Sequence, residues 1–281
     1  MKQFDFLDNL FFDPDIKITD MKKGLTNQNF LLQMNGETFV LRVPRSDSEQ
    51  IVNRRHETQA LKAIEGSGID VETIYYDEAS GYKVTRYLPD AKTYGECQAV
   101  DKIERTAHLM KRFHQLHRVV EDDFQPVKRL YAYARNVTNS LFDLTPFEGV
   151  IHAVEDLHYD SILCHNDWVD GNILFSGDQT YLIDYEYAAN NDPLFDVMSF
   201  LSENQITDPT LRKRFYRVYF DTFTQDIANR LQLWEAFHNL LWCYWAMMMW
   251  ESRKESIYKE IAQDKYQALC ACTQHAKRPL R

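Results

Sequence analysis

Across residues 16–43 apolar and polar positions alternate in short runs, broken by Lys23-Gly24-Leu25-Thr26-Asn27-Gln28-Asn29 and again by Asn35-Gly36. A period of two marks half-buried strands, and Asn-Gly between two such runs favours a tight hairpin because both residues accept a positive φ. Phe30-Leu31-Leu32-Gln33-Met34 and Thr38-Phe39-Val40-Leu41-Arg42-Val43 are the expected partners. A helix is expected over about 50–64, closed by Gly66 and Gly68, with further strands near 71–76 and 82–87. Leu88-Pro89-Asp90 interrupts the alternation. Beyond about residue 95 the period lengthens: Val100, Ile103, Ala107, Met110, Phe113 and Leu116 predict a buried helix within 99–119. Brief apolar runs return over 161–187, and long aromatic-rich helical stretches run from Leu211 onward. The pattern implies an α+β protein of two lobes, a small antiparallel sheet lobe over 1–88 and a larger helical lobe over 89–281.

Composition narrows the partners. The 281 residues are 44% hydrophobic and 26% charged, with 9 Gly and 8 Pro, the mixture of an ordered globular protein. A net charge of −10 argues against nucleic acid, which demands clustered Lys and Arg. The odd set Cys97, Cys164, Cys243, Cys270 and Cys272 lacks CxxC spacing, so reduced thiols in a cytoplasmic protein are expected. Acidic residues interrupt the apolar ones from Met1 to Phe12, unlike a signal peptide, and the apolar run 240–250 is too short to span a bilayer. No membrane partner is expected. His108, His114 and His117 lack a zinc-binding pattern and read as packing or surface residues.

The chemistry concentrates in Cys164-His165-Asn166-Asp167-Trp168-Val169-Asp170-Gly171-Asn172-Ile173-Leu174, followed by Leu182-Ile183-Asp184-Tyr185-Glu186. An Asp precedes an Asn by five residues, and a second Asp follows twelve later at the end of a short strand. Phosphoryl transfer to a hydroxyl needs a carboxylate to accept the alcohol's proton, and an amide oxygen with a second carboxylate to hold divalent metal at the phosphates. Asp167, Asn172 and Asp184 suit those roles in that order.

This arrangement resembles the protein-kinase-like superfamily, whose catalytic loop reads H-x-D-x-x-x-x-N. The resemblance implies ATP and Mg²⁺ as cofactors, a phosphate-covering turn at residues 23–27 including Asn27, Arg42 as the strand cation and Glu57 as its helical partner. Thr85 and Tyr87, beside the inter-lobe segment, mark the adenine region. No G-x-G-x-x-G, D-F-G or A-P-E is present, and Arg42 replaces the usual Lys, which turns the reading away from protein substrates. The strings at 24–30, 40–44, 165–174 and 183–187 are similar to those of the choline and ethanolamine kinase family, with aminoglycoside phosphotransferases more distant. The likeness extends over about 24–203, with a weaker echo to 266.

That family resemblance implies a small amino-alcohol acceptor, choline first, with ethanolamine, thiamine or an aminoglycoside as alternatives. A catalytically dead binding module is disfavoured because the base and both metal ligands are present. A trimethylammonium cannot donate hydrogen bonds, so it needs aromatic faces and a carboxylate. Trp242, Trp245 and Met249 recur at helical spacing on one face, which by composition alone also reads as plain core. The resemblance assigns Trp242 and Trp245 to the acceptor, together with Glu186, Tyr187, Glu203 and Tyr266. Asn204 departs from the eukaryotic enzymes, which carry a Trp there.

Overall fold

The computed structural model describes residues 7, 16–21, 27–45 and 54–276. Its first unit is a five-stranded antiparallel sheet, ordered β1-β2-β3-β5-β4, from β1 (Lys17–Asp20), β2 (Asn27–Met34), β3 (Glu37–Pro44), β4 (Thr73–Tyr76) and β5 (Lys83–Arg86). Asn35 and Gly36 close the β2–β3 hairpin at φ 50° and 76°, the left-handed pair a type I′ turn requires. Phe39, Leu41 and Val43 are buried in a small core with Leu32, Met34 and Val84. Strand alternation therefore turns Arg42 to the opposite face. Residues 23–26 of the expected phosphate turn and 50–53 of the expected helix lie outside the described residues.

Helix α1 (Arg54–Ile64) ends before Gly66, at φ 73°. Its Ala60 and Ile64 pack into the large core of the helical lobe and not into the sheet's own core. The helix that carries Glu57 is thereby rooted in one lobe while it faces the strands of the other.

After β5 the chain turns at Pro89 and Asp90, and β6 (Lys92–Thr93) joins a second sheet ordered β6-β8-β9 with β8 (Ile173–Ser176) and β9 (Gln179–Leu182). A two-stranded ribbon pairs β7 (Ile162–Cys164) with β10 (Ala189–Asn191). Around them stand α2 (Lys102–His114), α3 (Pro126–Ala134), α4 (Glu148–Glu155), α5 (Pro193–Glu203), α6 (Pro209–Tyr219), α7 (Gln225–Arg253) and α8 (Ser256–Ala276). Helix starts follow local chemistry. Asp192 and Asp208 cap α5 and α6 by accepting from Leu194 and Thr210 amides, each with Pro at the first helical position.

One expectation needs correction. The periodic pattern extended the helix at 99–119 and buried Val100, yet α2 stops at His114 and Val100 is 88% exposed. The amides of Gln115 and His117 turn back onto Lys111 and His114 carbonyls, and His117 adopts φ 47°. A left-handed residue ends a helix whatever the apolar spacing beyond it. Among the described residues no helix is long and apolar enough to cross a membrane.

Candidate active site

Strand β7 delivers the chain to a loop at 165–172 that is held from beneath by Asp196, a fully buried residue of α5. Its carboxylate accepts from the His165 amide at 2.8 Å and the Asn166 amide at 2.7 Å. His114 Nε2 adds a third contact at 3.0 Å, and its Nδ1 meets the Tyr219 hydroxyl at 2.7 Å. Burial would raise the Asp196 pKa, but the hydrogen bond with His114 and the electrostatic influence of that ring outweigh it and hold the group below the ordinary carboxylate value. Asn166 sits at φ 66° and donates to the carbonyls of Cys164, Tyr187 and Ala189. Asn204 donates to the Trp168 carbonyl at 2.9 Å, tying α5 to the loop. His114, Cys164 and Asp196 fall within 4.8 Å of one another. The Asp196 oxygens are committed to loop amides, so this trio reads as scaffolding.

Asp167 thus projects from a fixed loop. Asn172 Nδ2 donates to its carbonyl at 2.9 Å and its Oδ2 at 3.0 Å, leaving the Asn172 amide oxygen for a cation. Desolvation by the surrounding protein, followed by the charges of Glu203 and Asp184, pushes the Asp167 carboxyl up to about 8.

Near Asp167, whose pKa Asp184 helps to raise, lies a cluster of charges. Arg42 donates to Asp184 at 2.8 Å and to Glu57 at 2.5 Å, so the expected strand-to-helix pair forms and reaches the second Asp as well. Lys83 stands directly opposite Arg42 in the β3–β5 register. Two cations facing each other across strands repel unless carboxylates intervene. Lys83 meets Asp70 at 3.2 Å and Glu57 at 3.9 Å, which supplies them. Burial opposes ionisation of Glu57, but Arg42 and Lys83 prevail and its pKa falls. Asn27 Nδ2 donates to Glu186 at 3.2 Å and reaches Asp184 at 3.5 Å. Glu186, grouped with the acceptor in the sequence, therefore stands beside Asp184. Burial first and Asp184 second drive its pKa well above the ordinary value. Adjacent carboxylates at such a cost, with the Asn172 amide, form a hard oxygen set suited to a divalent cation. Thr85 pairs with Val40 and Thr73, and the Tyr87 amide donates to Thr38, where the chain leaves the sheet.

A second group is made of rings. Tyr187 meets Trp242 edge-on at 5.5 Å, and Trp242 meets Trp245 in the same way at 5.8 Å. Trp242 Nε1 donates to His238 Nε2 at 2.9 Å, which requires that nitrogen to be unprotonated. Burial holds the His238 pKa well below its ordinary value. Glu203 Oε1 accepts from Lys265 at 2.7 Å and lies 3.6 Å from His238. Tyr266 stands apart from this chain of rings: it stacks on Phe142 at 4.4 Å and meets Phe147 edge-on at 6.4 Å.

Sequence reasoning missed Lys83, His238 and Lys265. The register opposite Arg42 could have flagged Lys83, and the four-residue step to Trp242 could have flagged His238. Nothing local marks Lys265.

Comparison with known proteins fits this geometry. Protein LicA of Haemophilus influenzae is 31% identical, covering 79% of this chain and 70% of that protein. The crystal structure of choline kinase LicA from Streptococcus pneumoniae superposes with a TM-score of 0.77 at 21% identity, covering 95% of this chain and 96% of that one. A structure of LicA in complex with AMP does so at 0.76 and 21%, with the same coverage. These two share the protein-kinase-like fold. Residues 17–234, most of the chain, match the family described as the phosphotransferase enzyme family, and the chain belongs to it.

Proposed function

We propose that the protein is a choline kinase, transferring the γ-phosphoryl group of ATP to the hydroxyl of choline and releasing phosphocholine and ADP. The observation that carries this reading is the nearness of Asp167 to both groups of residues: Asp184 and Glu203 each raise its pKa, and Asn166 beside it donates to the Tyr187 carbonyl at 3.0 Å. Choline has two matching ends, a hydroxyl and a cation that aromatic faces attract. The likeness in fold to choline kinase LicA of S. pneumoniae supports the choice of acceptor. The AMP complex of LicA supports a nucleotide in the cleft. The lobe division at residue 88/89 belongs to the same reading, with Thr85 and Tyr87 beside the adenine.

In this mechanism Asp167 orients the choline hydroxyl and takes its proton as the oxygen bonds to the γ-phosphorus and the bond to the ADP oxygen breaks. Once ionised, a carboxyl pushed up to about 8 binds a proton more tightly than an ordinary carboxylate, which suits it to take the hydroxyl proton. Asn172 and Asp184, with Glu186 alongside, would be the oxygen donors for Mg²⁺, which would neutralise charge on the phosphates. Arg42, already forked between Glu57 and Asp184, presents a planar donor suited to phosphate oxygens. Tyr187, Trp242 and Trp245 exclude water from the ammonium end, and Glu203 supplies the opposing charge.

The test is ADP release over a panel of choline, ethanolamine, thiamine and an aminoglycoside, each with and without Mg²⁺. Choline is expected to give the highest kcat/KM, and only with Mg²⁺. A higher kcat/KM for another acceptor would reassign the substrate, and acceptor-independent signal throughout would remove the kinase assignment.

A further inference from the structure

Glu203 already has a cation. Lys265, on α8, places its ammonium 2.7 Å from Glu203 Oε1. Lys265 is 7% exposed, and the Glu203 side chain 17%. Among the described residues Glu203 is the one carboxylate within ion-pair distance of Lys265. A strongly hydrated ammonium is costly to bury, and its pairing with Glu203 offsets that cost. The same carboxylate is the one the reading above gives to the acceptor's cation.

Two cations cannot share one carboxylate oxygen at close range without repelling each other. Their chemistry also differs. A lysine ammonium satisfies Glu203 by hydrogen bonds, which a quaternary ammonium cannot make. A quaternary ammonium gains from the faces of Tyr187, Trp242 and Trp245, which Lys265 does not use: among the described residues its ammonium lies over no ring, although those of Lys83, Lys102 and Lys254 do. A small hydrated ion therefore has no means of displacing Lys265, whereas an apolar cation that fills the ring-lined side does.

We propose that Lys265 is a specificity-determining residue of the acceptor site: its ammonium occupies Glu203 in the free enzyme, and a cationic acceptor binds by displacing it. The inference rests on the choline reading. It also accounts for charge around the base, since Glu203 raises the Asp167 pKa and Lys265 lowers it. An acceptor ammonium taking the place of Lys265 keeps that compensation.

The test is Lys265→Met, with Lys265→Gln as a second variant should the first fold poorly. Two readouts are used: the KM for choline, and the thermal shift produced by tetramethylammonium, which has the cation and no hydroxyl. Both variants are expected to melt lower than the wild type when free. They should also bind both cations more tightly by about fivefold or more, the scale of one partly buried ion pair. In a Glu203→Gln background the gain should vanish. Unchanged or weakened cation binding in the Lys265 variants, or a gain that persists once the Glu203 charge has been removed, overturns the proposal. Loss of the choline reading is seen separately, as absence of choline-dependent ADP release in the wild type.

Discussion

Around Asp184 the side chains are mostly charged and arrive from many elements: Arg42 from β3, Lys83 from β5 and Glu57 from α1, with the neutral amide of Asn27 from β2. Around Trp242 most are neutral, and three of them, His238, Trp242 and Trp245, hang from the single helix α7. The first surface is held by pairing across long stretches of chain, so each charge is needed to offset another. The second is held by burial along one rigid element, so its parts are more nearly independent. Asp167 feels charges from both neighbourhoods, since Glu203 and Asp184 each raise its pKa.

The largest effect should come from changing Asp167. Asp167→Asn is expected to cut turnover by about 10²- to 10⁴-fold with little change in melting temperature. Near-normal steady-state ADP release would break the comparison at its centre. Next comes Glu57→Ala, which leaves Arg42 and Lys83 facing each other across the strands. Urea unfolding should report a loss of about 3–5 kcal/mol, as for a broken buried pair. A loss below ~1 kcal/mol would mean that Asp70 and Asp184 suffice, and that the charged surface is less interdependent than its geometry implies. Trp242→Ala should weaken choline by at least ~1 kcal/mol, about fivefold in KM, and an unchanged KM would make the rings core alone.

The smallest effect is a pH dependence. The folded-state pKa of His238 is depressed well below 6.5 by burial, so the unfolded chain takes up a proton that the folded one refuses. The stability this residue contributes is complete above pH 6.5 and declines as the pH falls, by up to about 1.4 kcal/mol per unit. His165, depressed in the same direction, adds to the slope. Chemical denaturation at pH 7.5 and 5.5 should show the decline, and His238→Gln should flatten part of it. An identical slope in that variant would place the titration elsewhere.

Much of the charged surface was readable because its groups sit in local patterns. Asp167 and Asn172 are five residues apart, and Asn35-Gly36 fixed the hairpin that carries Arg42. Lys83 was harder, since its role depends on a strand register and on Asp70, neither of which the pattern of a single strand reveals. Glu186, expected at the acceptor, shares the Asn27 amide with Asp184, a contact from the sheet that no local pattern reveals. The aromatic surface offered less. Helical spacing correctly put Trp242, Trp245 and Met249 on a buried face, but only folding brings α8 back along α7 to set Lys265 on Glu203. The early end of α2 was invisible for a related reason: the left-handed turn at His117 leaves no trace in hydrophobic spacing.

The backbone at Asn166 has a practical consequence. Its φ of 66° disfavours most side chains, its amide group serves three carbonyls, and Asn191 donates to its oxygen at 2.8 Å. None of these bonds involves a reacting atom. A saturation screen scored on product alone would nevertheless register this position as indispensable, and only parallel melting curves would reveal that the damage is architectural.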